Sequence, residues 1–196
     1  MNPNQATITR LFKEEAYRLG FSGIAIAKAQ FMEEEAKNLE AWLNQNYHGE
    51  MSYMENHFDL RIDPTKLVPG SKSVVCLMYN YFTTSKQEDD DAPKISTYAF
   101  GKDYHKVVRK KLNALFEFLK NQVGSVEGRV FVDSAPVMER DWAKRSGLGW
   151  VGKNTLMITP QKGSYFFLAE IICDFEFDYD IPIRDHCGTC TRCIDA

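Results

Sequence analysis

Three cysteines close to the end of the chain are the residues best equipped for chemistry. Cys187, Cys190 and Cys193 stand at C-x2-C-x2-C spacing. Soft thiolates at two-residue gaps can wrap one metal centre, and this is the spacing of a bacterial ferredoxin loop, which continues x3-C-P. Ile194, Asp195 and Ala196 fill the x3. The run therefore predicts three ligands of one [4Fe–4S] cluster, at the start of a truncated ferredoxin-like domain covering residues 181–196. A three-thiolate zinc site completed by the adjacent His186 is the competing reading. Cys76 and Cys173 differ, since each lies in an apolar run and reads as a small buried hydrophobe.

Upstream, Asp133 ends a strand-like run and is followed by Ser134-Ala135-Pro136. A carboxylate there, ahead of a helix, sits where α/β proteins place ligands. Position alone favours a helix cap by Asp133 or Ser134. In a closed apolar site, burial would raise such a carboxyl and let it donate a proton near neutral pH. Asp103-Tyr104-His105 opens the strongest helical pattern of the chain. Asp103 suits a cap, and a Tyr-His pair in a first helical turn can bind polar ligand groups or simply face water. The glycines of 147–152 form neither a dinucleotide fingerprint nor a P-loop, and a helix end plus turn explains them. Glycines beside Trp150 and Asn154 would also let backbone approach a large planar ligand.

The elements that must position these residues follow from periodicity. Helices are expected over 7–19, with Gly20 as a C-terminal cap, over 33–47 and over 103–122, and another from Pro136 to near Gly147. Strands are expected over 21–29, 73–82, 94–100, 129–133, 155–159 and 164–173, the last two joined by a hairpin-type link at 160–163. Residues 48–70 hold Pro64, Pro69 and Gly70 and should be irregular. Short links between the later strands favour an α/β (α+β) fold, with a mixed, largely antiparallel sheet flanked by helices.

With 196 residues, 44% hydrophobic and 26% charged, the chain suits one ordinary soluble domain plus a short extension. There is no membrane-length apolar run and no leader pattern, so a cytoplasmic protein is expected. The net charge of −3 gives no global field for nucleic acid. Locally, Glu88-Asp89-Asp90-Asp91 reads as a solvated acidic loop. Lys102, Lys106, Arg109, Lys110 and Lys111 form one basic patch; Arg140, Lys144 and Arg145 form a second.

Six segments in order, 61–75, GKDYHKV at 101–107, VDSAPVMER at 132–140, GLGWVGKN at 147–154, GSYFFLAE at 163–170 and DHCGTCTRCIDA at 185–196, together resemble the epoxyqueuosine reductases. The resemblance runs from about residue 48 to the end. It implies a nitroreductase-like cobalamin-binding catalytic domain over 1–180, related to that of reductive dehalogenases, followed by a domain with two [4Fe–4S] clusters. It implies an oxidoreductase that completes queuosine biosynthesis by removing the epoxide oxygen of epoxyqueuosine at the tRNA wobble position. Electrons would come from a low-potential donor protein through the clusters to cobalamin. By motif, Asp133 matches the proton donor, and Asp103, His105 and Arg140 match positions around the substrate. Arg61, Ser96, Asp133, Met157 and Leu168 match cobalamin contacts, and Cys187, Cys190 and Cys193 match cluster ligands. The further cluster ligands of the family are not in this sequence, so the fragment is expected to be inactive alone and unable to build the native cluster pair. A reductive-dehalogenase-like cobalamin enzyme and a non-catalytic cobalamin-trafficking module are the alternatives. The cysteine run argues against a carrier.

Overall fold

A computed structural model describes residues 4–89 and 91–195; residues 1–3, Asp90 of the acidic run and Ala196 lie outside the described residues. Four strands form the central sheet in the order β1-β2-β6-β3, where β1 is Gly23–Lys28, β2 Ser73–Asn80, β3 Gly128–Phe131 and β6 Phe166–Cys173. All three pairings are antiparallel. Both faces of the sheet are buried, which explains its near-continuous apolar strands. On one face the larger side chains, among them Ile24, Ile26, Val75, Leu77 and Ile171, meet α1 (Gln5–Arg18) and α5 (Tyr104–Val123). On the other, Ala25, Ala27, Val74, Cys76 and Ile172 meet Trp142 and Ala143 of α6 (Glu139–Arg145). Cys76 and Cys173 are indeed buried and unpaired.

The stripe that predicted α5 is the one it buries. Val108, Leu112, Leu115 and Leu119 are fully enclosed, and each such leucine contributes roughly 1.5–3 kcal/mol. The Asp103 side chain accepts the His105 N–H and caps the helix. After β6, the chain passes Ser73, where Phe177 donates its N–H to the hydroxyl, and reaches the free edge of β1 at Ile26. Asp180 donates its N–H to the Ile26 carbonyl at 2.8 Å and accepts the Ile26 N–H on its side chain at 2.9 Å. That contact occupies the middle of an edge which would otherwise be open to pairing.

Several sequence expectations are corrected. Residues 94–100 are not a strand; they carry only a 3-10 turn at Thr97–Ala99. The irregular 48–70 stretch holds another 3-10 turn and the short helices α3 (Phe58–Ile62) and α4 (Pro64–Leu67). α2 (Glu33–Asn44) ends before residue 47. The helix expected from Pro136 starts at Glu139, and its N-cap, Met138, makes no side-chain cap. The hairpin-type link at 160–163 is present, closed by an antiparallel bridge between Thr159 and Gly163, but residues 155–159 and 164–173 do not go on to pair. β5 (Met157–Ile158) instead pairs with β4 (Trp150–Val151) inside the glycine-rich segment, while β6 crosses to lie between β2 and β3. α7 (Arg192–Asp195) closes the described chain. No described helix is long and apolar enough to cross a membrane.

Candidate active site

The chain leaves β3 at Phe131, buries Val132, and turns at Asp133 with φ +57°. This left-handed conformation is uncommon for a side-chain-bearing residue, though Asp tolerates it better than most. It is held by Glu139, whose Oε1 accepts the Asp133 N–H at 2.9 Å. Neither Asp133 nor Ser134 caps α6, so the capping alternative is set aside. The Asp133 carboxylate is exposed and accepts the Tyr104 hydroxyl on Oδ2. His105 Nε2 stands 3.5 Å from the same oxygen, and His105 Nδ1 lies 2.9 Å from Asp103 Oδ1. The His105 side chain holds the Asp103 carboxyl below its usual range. Thus α5, capped by Asp103, aims its first turn at Asp133.

Two cavities meet at this aspartate. One, of about 240 Å³, is walled by Tyr81, Tyr104, Phe166, Phe167, Met157 and Leu168. Tyr104 stacks on Phe167 with centroids 3.9 Å apart, and Tyr81 lies 4.7 Å from Phe167. The other, of about 680 Å³, is bounded by Tyr53, Asn56, His57, Arg61 and the 134–138 loop. Asp133, Glu139 and Arg140 border both. Arg61 donates to the carbonyls of Tyr53 and Asn56, and Arg140 to that of Thr155 at 2.7 Å. The arrangement offers a mainly apolar, aromatic wall on one side and a hydrogen-bonding carboxylate on the other. Such a surface suits a large planar ring placed against a polar substrate.

Of the residues singled out in the sequence, Asp133, Asp103, His105 and Arg140 are brought together, with Met157 and Leu168 on one cavity wall and Arg61 on the other. Ser96 is not brought in; it is exposed ahead of the 3-10 turn and borders neither cavity. The cysteine loop lies beside the β4–β5 hairpin. Trp150 Nε1 donates to Cys187 Sγ at 3.4 Å, and Lys153 Nζ donates to the carbonyls of Gly188 and Cys190. Among the described residues, no group of three or more His, Cys, Asp or Glu is gathered tightly enough to hold a metal ion. The donor chemistry of the loop suits iron, but its thiols are not converged.

Two carboxyls escaped sequence reasoning. Burial pushes the Glu139 carboxyl up to about 7, with the Asp133 charge adding to the push, while the Asp133 N–H and Arg140 oppose it. Glu170, in the middle of β6, is wholly buried, and neither carboxyl oxygen has a hydrogen-bond partner. Burial raises it well above the usual carboxylate range, and the charges of Glu139 and Asp133 act in the same direction. The signal for Glu170 is a lone acid inside an apolar strand, FFLAEIIC.

Residues 61–134 match the family described as epoxyqueuosine reductase QueG, DUF1730. An epoxyqueuosine reductase of Cyclobacterium marinum is 56% identical over 190 residues, which are 96% of this chain and 61% of that protein. A solved epoxyqueuosine reductase with an epoxyqueuosine-modified tRNA stem loop superposes with a TM-score of 0.87 at 32% identity, covering 98% of this chain and 52% of that one. A reductive dehalogenase, whose structure bears on B12-dependent dehalogenation, shares the fold alone, at TM-score 0.59 and 13% identity over 95% of this chain and 22% of its own. The chain thus spans about three fifths or less of the length of these relatives. Over the stretch that it spans, the chain is similar to the epoxyqueuosine reductases in both sequence and fold.

Proposed function

We propose that this chain carries the catalytic, cobalamin-binding portion of an enzyme that reduces epoxyqueuosine in tRNA to queuosine in the cytoplasm. The observation that carries the reading is Asp133, fixed in a left-handed turn where two cavities meet and held by Tyr104 and Glu139. The apolar wall of Phe166, Phe167, Met157 and Leu168 suits a corrin ring, and the B12-dependent dehalogenation ascribed to the reductive dehalogenase that shares this fold supports that choice. A corrin held against that wall would supply the reducing electrons that the reaction needs. Opening the epoxide leaves an alkoxide-like oxygen, and Asp133, in its acid form, would protonate it. Tyr104 and His105 orient the Asp133 carboxyl from the first turn of α5, and Arg140 stands ready for polar groups of the substrate. Cys187, Cys190 and Cys193 would bind three irons of a [4Fe–4S] cluster at the start of a second domain beginning at residue 181. That cluster would take electrons from a low-potential donor protein.

Asp133→Asn tests the reading in the holoenzyme. It keeps the turn and the Tyr104 contact but has no proton to give. Reduction of epoxyqueuosine in a tRNA stem loop should fall by about a hundredfold or more, while the visible spectrum of bound cob(II)alamin stays unchanged. Wild-type turnover by the variant would remove Asp133 from the chemistry.

A further inference from the structure

The acid at the front of the site has two more acids behind it. Glu139 borders both cavities and accepts the backbone N–H of Asp133 at 2.9 Å. Glu170 lies deeper, on the sheet face covered by α6, in register with Cys76 of β2 and Phe131 of β3. It has no exposed atom and no partner for either oxygen. An ionised carboxylate cannot persist there at acceptable cost, so Glu170 is a neutral acid. The groups whose charges interact with that of Glu139 are Asp133 from the β3–α6 loop, its chain neighbour Arg140, Tyr104 of α5, Cys76 of β2 and Glu170 of β6. Arg140 is the one cation in that set, and it is already engaged with the Thr155 carbonyl. His105, stacked on Tyr104, approaches the same Asp133 oxygen, Oδ2, at 3.5 Å.

The chemistry asks for a second proton. Converting an epoxide to an alkene consumes two electrons and two protons. The first C–O bond breaks and its oxygen takes a proton to become a hydroxyl. The second breaks as that hydroxyl leaves with the other proton as water, and the two electrons, supplied by the reduced corrinoid, end in the C=C bond. Asp133 holds one proton at a time.

We propose that Glu139, backed by the neutral acid of Glu170, stores the second proton and reloads Asp133 between the two proton transfers. The inference rests on the epoxide-reductase reading above. In the reloading step the proton leaves the Glu139 carboxyl, which becomes a carboxylate, and joins the Asp133 carboxylate, which becomes the acid. Once product has left, Asp133 and Glu139 are both carboxylates, and each regains one proton from solvent through the larger cavity that both border. Glu170 gives up nothing; it places a neutral, non-cationic wall behind Glu139, so that Glu139 keeps its proton until Asp133 needs it.

Two measurements test this. In single turnover of the holoenzyme on an epoxyqueuosine-modified stem loop, Glu139→Gln keeps an oxygen for the Asp133 N–H but has no transferable proton. It should slow reduction by about a hundredfold at neutral pH, leave KM for the stem loop unchanged, and lack the decline in rate expected of the wild type as pH rises through neutrality. Wild-type rate, or a slow rate that keeps the wild-type pH profile, overturns the proposal. Independently of activity, the infrared carbonyl band of protonated carboxyls, taken as wild type minus Glu139→Gln, should titrate near neutral pH; a band missing at mildly acid pH overturns the store. If that band titrates while the wild-type holoenzyme leaves the stem loop unreduced, the proton store stands as a property of the site and it is the epoxide-reductase reading that fails.

Discussion

A carboxyl with no exposed atom and no hydrogen-bond partner has to show itself in the pH dependence of folding. Glu170 is that group, and burial raises its folded-state pKa. In the unfolded chain it titrates as an ordinary glutamate, near ~4.3. Between that value and the raised one, the folded state binds a proton that the unfolded state has released. Stability is therefore full below the ordinary carboxylate range and declines as pH rises above it, by at most about 1.4 kcal/mol per pH unit for this one group. Glu170→Gln removes the ionisation. Chemical denaturation from mildly acid to mildly alkaline pH should show the wild type losing stability relative to the variant, with the gap widening as pH rises. A constant gap would mean that Glu170 does not carry its proton in the folded state. Asp133 illustrates what the sequence holds at this scale. Its place after a strand points to a ligand site, but its left-handed turn depends on Glu139, six residues on, and no local pattern announces that bond.

At the scale of elements, α5 does the aiming. Its Val108, Leu112, Leu115 and Leu119 stripe fixes the helix on the sheet, and Asp103 fixes where it begins. The same Asp103 carboxylate accepts the His105 N–H and meets His105 Nδ1, so cap and site residue are one device. Asp103→Ala should cost about 1 kcal/mol, or roughly 2–4 °C in Tm for a chain of this size. It should also lower single-turnover reduction by loosening Tyr104 and His105 in front of Asp133. Normal turnover with the lowered Tm would confine Asp103 to capping. Elements with strong periodicity are legible in the sequence: α1, α5, β1, β2 and β6 stand where the patterns put them. The failures share a cause. Residues 94–100 carry β-branched and aromatic side chains, yet Ile95, Tyr98 and Phe100 are exposed; Tyr98 meets Phe167 of β6 only ring edge to ring face, and no described strand pairs with the segment. β4 hides among glycines, because a two-residue strand is set by its partner β5 rather than by its own composition. Glu139 falls inside the helix that the pattern predicts, whereas the helix in fact starts there.

Across the whole molecule, the stretch after Asp180 is tied to the three-layer body at few points, and those points adjoin the site. Lys153 and Trp150 hold the cysteine loop from the β4–β5 hairpin, whose Met157 also walls the smaller cavity. A third tie lies at the end of α6. Gly147 has φ +84°, and a Cβ there would come within 2.1 Å of the Ile181 carbonyl oxygen, which is backbone and cannot rotate away. Gly147→Ala therefore combines a left-handed penalty of roughly 1–2 kcal/mol with displacement of the chain at 181. Gly163 provides the control, since it also has positive φ, +63°, but a Cβ added there would meet nothing within 4 Å. Gly163→Ala should lower Tm by the backbone penalty alone. Gly147→Ala should lower it further and speed tryptic cleavage at Arg184, because the segment it displaces loses its seat on α6. Equal Tm losses and equal cleavage rates in the two variants would show that residues 181–186 are not seated on the body through Gly147, and that the hairpin alone carries the cysteine loop.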